Sequence, residues 1–203
     1  MNPKVVMAAI TLFSAAALAC ADPGLPRHEP PTPTPTPEPG QNELNWASRV
    51  CAFIPGFERA ADAWDVALEA TSAPDLEVLR DEMLFIASFD LKQSASSASQ
   101  WIGLLSGATT SSTRFGDPAY TATGVAVYER TLFDLFLDFE PVLNYAVPEI
   151  RQAQSLEDLE AIHASVSGAR EQLTASARDA ARGLSPEALL ALRSVDECAF
   201  IRG

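Results

Sequence analysis

The sequence predicts an all-α fold, an up-and-down bundle of about four long helices followed by a short C-terminal helix. First, apolar residues after Gly40 recur three or four positions apart, which is the period of one helix face. Second, no segment alternates apolar and polar residues as a strand does, and no Asn-Gly hairpin turn occurs. Third, helix-start signals, in which Ser or Asp precedes Pro or an acidic residue, separate the apolar runs.

The first two rods of the bundle are predicted from their breaks. The first rod comes in two pieces, about Glu43 to Ile54 and about Phe57 to Thr71, because Pro55-Gly56 interrupts the helical pattern. The second rod opens with the capping-box pattern Ser72-Ala73-Pro74-Asp75 and ends in a Gly/Ser/Thr-rich segment, residues 106–116. It carries one apolar stripe, made of Leu76, Leu79, Met83, Ala87, Leu91, Ala95, Ala98, Trp101 and Leu105.

The third and fourth rods have clearer starts. The third begins with Asp117 as N-cap and Pro118 at the first helical position, and we expect a distortion at Pro141. The fourth begins at a second capping box, Ser155-Leu156-Glu157-Asp158, and extends to about Leu184. A short helix follows from Ser185-Pro186-Glu187 to about Arg202. The third rod is strongly apolar, but five ionisable residues argue against a membrane span: Glu129, Arg130, Asp134, Asp138 and Glu140.

The N-terminal segment has a different composition. Lys4 precedes an uncharged apolar run, Val5 to Ala19, that is shorter than the roughly 20 residues of a bilayer span. At its end, Ala17-Leu18-Ala19-Cys20 resembles the lipobox of bacterial lipoproteins. The resemblance implies that residues 1–19 are a cleaved signal peptide and that the sulfur of Cys20 receives a diacylglyceryl group. It also implies a mature protein in the cell envelope, anchored by lipid on the extracytoplasmic side of a bacterial membrane. An ordinary secretory signal with a chance cysteine is the alternative.

Residues 20–40 are predicted to link this lipidated cysteine to the bundle. The segment contains eight prolines and no apolar stripe, so we expect an exposed polyproline-II spacer. At about 3.1 Å per residue, such a spacer reaches roughly 60 Å. The bundle domain then comprises residues 41–203.

The two cysteines that remain after lipidation, Cys51 and Cys198, predict a disulfide in an oxidising compartment. They lie on the first and last predicted helices, which start at the same end of the bundle. At about 1.5 Å per residue, their heights differ by roughly one helical turn. Two buried free thiols are the alternative.

The charge of the chain limits its partners. Acidic residues outnumber basic ones by 27 to 14, and loss of Lys4 with the signal changes the formal net charge from −13 to −14. Such a chain repels phosphate backbones and anionic headgroups, so nucleic acid is not expected as a partner, and membrane attachment must come through lipid on Cys20. The partner expected beyond the membrane is a protein or small molecule of unknown identity.

Motifs for a metal, a cofactor or a catalytic nucleophile are missing from the sequence. The mature domain has one histidine, His163, without HExxH or CxxC around it, and the chain has no GxSxG or phosphate-binding glycine loop. We therefore assign no catalytic residue, metal or cofactor. An enzyme remains conceivable if Asp134 and Asp138, four residues apart, are buried together as paired acids; the alternative is that they mark the wet edge of their helix.

Two other sets of residues are candidate binding features. Spacings of four, three and four put four carboxylates on one helix face, where they would attract a cation or a basic partner, or simply form a solvated face: Glu58, Asp62, Asp65 and Glu69. Small residues from Ser94 to Ser99, flanked by Phe89 and Trp101, either let helices approach closely or leave a ligand pocket. The leading hypothesis is a non-catalytic, lipid-anchored binding or interaction module. The alternatives are a small-ligand-binding or sensory bundle and, third, an enzyme using the paired carboxylates.

Overall fold

The computed structural model describes residues 38–68, 75–108 and 121–202, with backbone alone at 107–108. In these ranges the chain is helical and contains no strand, so the predicted all-α class is confirmed. The helices are α1 Gln41–Val50, α2 Ile54–Ala67, α3 Leu76–Phe85, a π-helical segment Ile86–Leu91, α4 Lys92–Ala108, α5 Val125–Gln152, α6 Leu156–Ala181, α7 Pro186–Ser194, a 3-10 turn Asp196–Cys198 and α8 Ala199–Arg202.

The long helices alternate in direction, as an up-and-down bundle requires. Helices α4 and α5 are antiparallel, because Lys92 Nζ donates a hydrogen bond to Asn144 Oδ1 (2.8 Å) while Gly103, further along α4, lies against Phe133. Helix α5 packs most extensively on α4 and α6, and α7 packs on α1. The bundle of about four rods with a short C-terminal element is thus the observed architecture.

The break in the first rod lies earlier than predicted. A turn at residues 51–53 separates α1 from α2, and α2 already begins at Ile54. Pro55 therefore stands in the first turn of α2, where its missing N–H leaves no hydrogen bond unmade. The predicted break at Pro55-Gly56 was three residues late because proline starts this helix instead of ending the previous one.

The second rod is not a uniform α-helix. Its middle turn, Ile86–Leu91, is π-helical. Five buried residues of the predicted stripe follow each other at intervals of four: Leu79, Met83, Ala87, Leu91 and Ala95. Because an α-helix has 3.6 residues per turn, that spacing drifts about 40° per step away from the core. The wider π turn corrects the drift and keeps the stripe buried. At the start of the rod Asp75 itself is the N-cap and accepts from Glu77 N, whereas Ser72 lies outside the described residues.

Helix α5 begins later than predicted and is not interrupted. Its N-cap is Gly124, while Asp117 and Pro118 lie outside the described residues. Gly124 has φ of +85°, and a Cβ at this position would lie 2.2 Å from the carbonyl oxygen of Gly183, so only glycine fits. The helix continues for 28 residues through Pro141 and Pro148, and the distortion expected at Pro141 stays a prediction.

The predicted last helix is divided in two. Helix α7 starts at Pro186 with Ser185 as its N-cap, but the chain turns extended at Val195 before the 3-10 turn and α8. The side chain of Arg202 donates to Val195 O and to Asp196 Oδ1, both at 3.0 Å, and holds this bend. Cys198, at the end of the 3-10 turn, is bonded to Cys51, with Cα atoms 5.3 Å apart. The predicted disulfide is present, and it joins the α1–α2 turn to the C-terminal end.

Large apolar and aromatic side chains fill the space between the rods. Phe57 of α2 meets Phe136 and Phe139 of α5 edge to face, with ring centroids 5.2 and 5.4 Å apart. Such pairs contribute about 0.5–1.5 kcal/mol each beyond the apolar area they bury. Helix α2 is thereby tied across the core to α5.

Candidate functional site

A surface groove runs along the seam between α4 and α5. Its volume is about 410 Å³, and it is lined by Ser88, Phe89, Lys92, Gln93, Ser96, Ser97, Gln100 and Glu140. One wall is the end of the π segment and the first half of α4, and Glu140 stands on the opposite wall. We call this surface the α4–α5 groove.

Two exposed phenylalanines lie at this groove: Phe89 lines it, and Phe85 stacks on Phe89. Phe85 and Phe89 are 58% and 60% exposed, and their rings lie parallel, 5.8 Å between centroids. A spacing of four residues places them one above the other. Phe89 belongs to the π segment, whose wider turn serves the buried stripe on the opposite side. The pair thus leaves apolar area in water beside a concave surface.

Hydrogen-bonding groups follow the aromatic pair along the groove. Lys92 is held by Asn144, and Gln100 Nε2 donates to Ser96 Oγ at 3.1 Å. Within the described ranges, Gln93, Ser97 and Glu140 make no side-chain hydrogen bond. Amide, hydroxyl and carboxylate groups are therefore available to a ligand, next to an apolar platform.

Of the three residues predicted to line a pocket, Phe89, Ser94 and Trp101, only Phe89 lines the α4–α5 groove. Ser94 lies instead against Gly56 of α2, which is the close helix approach that small residues permit. Trp101 packs on Phe53, with ring centroids 5.3 Å apart, and donates through Nε1 to Arg49 O at 2.6 Å.

The predicted acidic face turns partly toward α6. Asp65 Oδ2 accepts from Arg170 Nη1 at 2.6 Å, and its other oxygen accepts from Ser167 at 3.1 Å. Burial raises the pKa of Glu58, against the opposing effect of the Arg170 guanidinium. Asp62 is exposed, and Glu69 lies outside the described residues. Two of these four acids thus belong to a polar seam between α2 and α6.

The other candidates for chemistry have structural partners. Asp134 pairs with Arg130 at 3.1 Å on the helix surface, and Asp138 is exposed, so the joint burial that a paired-acid site requires is not observed. His163 stacks on Trp64 with centroids 5.3 Å apart and donates from Nε2 to Trp64 O at 2.9 Å. This histidine fastens α6 to α2.

A second depression lies where α5 turns into α6. It has a volume of about 600 Å³, and Tyr145, Glu149, Asp158 and Ile162 are among the side chains around it. Asp158 accepts from the N–H groups of Gln154 and Ser155, which lowers its pKa, so its carboxylate already caps α6. The capping box predicted here from Ser155 and Asp158 is confirmed.

Sequence reasoning missed a buried acid. Glu129 is 2% exposed, and its Oε1 accepts from Trp46 Nε1 at 2.9 Å, while Oε2 has no partner among the described residues. The hydroxyl of the neighbouring Tyr128 is also buried, and it too lacks a partner in the described ranges. The signal was present: Glu129 lies four residues after Val125 and three before Leu132, on the buried face of α5.

The described helices and the known proteins add few constraints on function. No described helix is long and apolar enough to cross a membrane, and the described residues contain no group of three or more metal-ligating side chains. No protein-family model, no curated protein and no solved structure matches this chain.

Proposed function

We propose that this chain is a lipid-anchored, non-catalytic binding module on the extracytoplasmic side of a bacterial membrane, and that it binds its ligand in the α4–α5 groove. The lipobox-like Ala17-Leu18-Ala19-Cys20 supports the anchor, and the proline-rich linker supports a domain held away from the membrane. The groove supports binding because it combines an apolar platform with hydrogen-bonding groups.

The exposed Phe85–Phe89 pair is the single observation that carries the proposal for the groove. Fully burying one exposed phenylalanine side chain stabilises a complex by about 1.5–3 kcal/mol. A ligand that covered both rings would therefore gain a large part of its binding free energy from them. They contribute little to the fold, since both point into water. A ligand with an apolar face and neutral hydrogen-bonding groups would cover the rings and meet Gln93 and Ser97.

Hydrogen exchange of the full chain, with and without size-separated envelope extract from its host, tests the groove. We expect slower exchange in residues 85–100, and the double variant Phe85→Ser/Phe89→Ser should lose this protection. Tyr145→Ser is the matched control, because Tyr145 is an exposed aromatic residue beside the other depression. Protection by the low-molecular-mass fraction would favour the small-ligand alternative, and protection by the macromolecular fraction would favour an interaction module. Protection confined to the α5–α6 depression, or none at all, would contradict the proposal.

Membrane fractionation tests the anchor independently. Cys20→Ser should move the chain from the membrane to the soluble fraction, because the acyl chains supply about 0.8 kcal/mol for each buried methylene. Thr32→Ser, a change of similar size in the linker, should leave the chain on the membrane. Unchanged fractionation of the Cys20 variant would remove the anchor from the proposal.

A further inference from the structure

The environment of Glu129 is unusual for a carboxyl group. It lies in the first turns of α5, inside the core, and its one described hydrogen bond comes from Trp46 of α1. A buried ionised carboxylate needs a paired cation or several donors to offset lost hydration. One indole N–H does not meet that need, so this environment favours the protonated carboxyl over the ionised one more than water does. Burial, only partly opposed by the Trp46 bond, raises the pKa of Glu129.

In the described ranges, no charged neighbour offsets this burial. The surrounding helices carry Glu43 and Arg49 on α1, Arg178 and Asp179 near the end of α6, and Glu187 on α7. None of these groups contributes to the pKa shift of Glu129, which depends on burial and the indole bond. The adjacent titratable group is Tyr128, whose pKa is also raised by burial. Ionisation of Glu129 therefore produces an uncompensated charge in this part of the core.

Helix α1 packs on α7, and side-chain bonds join it to other helices at two further points along its length. Near its C-terminal end, Trp101 binds Arg49 O and the disulfide at Cys51 follows. Further toward its N-terminus, Trp46 supplies the bond to α5 and an edge-on contact with the ring of Tyr128, centroids 6.2 Å apart. A charge on Glu129 would gain hydration if the first turns of α1 moved away, while the covalent bridge keeps the end of α1 in place.

We infer that Glu129 is a proton-dependent latch: its protonated carboxyl, bonded to Trp46, holds the first turns of α1 on the bundle, and its ionisation frees them. In the sequence, helix α1 directly follows the predicted linker. The device depends on neither the ligand nor the groove, and it goes beyond the proposed binding function.

Hydrogen exchange of the full chain between pH 4 and pH 9 tests the latch. At each pH, the wild type is compared with Glu129→Gln, which keeps an acceptor for Trp46 and cannot ionise, so the intrinsic pH dependence of exchange cancels. In residues 41–47 the ratio of wild-type to variant exchange should be close to one near pH 4, about the pKa of a free glutamate. It should rise as the pH increases, by up to about tenfold per unit, and level off above the folded pKa of Glu129. Glu149→Gln, on the same helix, should follow the wild type at every pH.

Two results would overturn the latch. One is a wild-type to Glu129→Gln ratio that stays constant with pH; the other is a ratio that rises equally in all helices, since that would be global destabilisation. Trp46→Phe provides a second reading, because it keeps the ring and removes the N–H donor. This variant should exchange rapidly in residues 41–47 even at pH 4, and wild-type protection at that pH would also contradict the inference.

Discussion

The two ends of α5 show opposite uses of the same helical architecture. At its N-terminal end the bundle is closed: Gly124 abuts Gly183, and the Cys51–Cys198 bridge ties the first helices to the last. Toward its C-terminal end α5 borders two open depressions on its two flanks. The comparison teaches that one end is built for fixed geometry, whereas the other leaves side chains available for contact.

Removing the bridge should have the largest effect on stability. The double variant Cys51→Ala/Cys198→Ala frees a loop of 147 residues in the unfolded chain, so we expect a loss of about 5 kcal/mol in the chain-entropy model. Urea unfolding with and without reductant measures it. Reductant should destabilise the wild type and leave the double variant unaffected; a difference below about 1 kcal/mol would show that the closed end does not depend on its bridge.

Gly124→Ala should have the next largest effect. The positive φ alone costs about 1–2 kcal/mol for alanine, and the approach to the Gly183 carbonyl adds to it, so we expect a loss of at least about 2 kcal/mol. Gly168→Ala is the matched control: it lies inside α6 with no atom within 4 Å of the added methyl, and it should gain up to about 1 kcal/mol. Similar unfolding midpoints for both variants would contradict this account of the Gly124 turn.

The cap at the open end should matter less. Ser155→Ala removes the hydroxyl that accepts from Asp158 N, at an expected cost of about 1 kcal/mol measured by thermal unfolding. Asp158 adds a pH dependence of opposite sign to that of Glu129. Its pKa lies below the ordinary 3.8 because of bonds from Gln154 and Ser155, so its stabilisation is present above that value and lost as the pH falls through the folded pKa. Asp158→Asn should therefore differ from the wild type at pH 6 and converge with it in acid.

The groove residues should have the smallest effect on folding. Phe85→Ser and Phe89→Ser remove exposed rings, so each should change the free energy of unfolding by about 0.5 kcal/mol or less. Chemical denaturation measures this change, with Phe57→Ser as the buried counterpart that should unfold far more easily. Large destabilisation by either groove variant would mean that the pair supports the fold, and the contrast between the two ends would fail.

The sequence predicted the features that depend on the helical period of apolar residues and on the residues at helix starts. The rods follow from the spacing of apolar residues, and the capping box follows from an acidic residue three positions after Ser155. The Cys51–Cys198 bridge follows from the two cysteines that remain once Cys20 is assigned to lipid. The sequence could not show which way a long side chain turns when a second helix approaches. Asp65 was predicted on a polar face, yet Arg170, more than a hundred residues away in the chain, draws it into an interhelical pair.

Two features that the sequence interpretation did not predict could have been inferred from residue spacing. Glu129 was treated as a charge that excludes a membrane span, although its position relative to Val125 and Leu132 puts it on the buried face. The intervals of four in the second rod were interpreted as an ordinary helix, although their accumulated drift demanded a wider turn. The α4–α5 groove itself depends on how two rods pair, which no single helix pattern contains.

The π segment also bears on how the second rod tolerates a change of length. A π turn holds about one residue more than an α-helix over the same rotation, so deleting one residue from Ile86–Leu91 would restore a plain α-helix with little rotation of α4 relative to α3. Deleting one of residues 92–94 instead would rotate the rest of α4 by about 100° and carry Ala95, Ala98 and Ile102 out of the interior. The π turn is thus the place in this rod where the loss of one residue disturbs the register least.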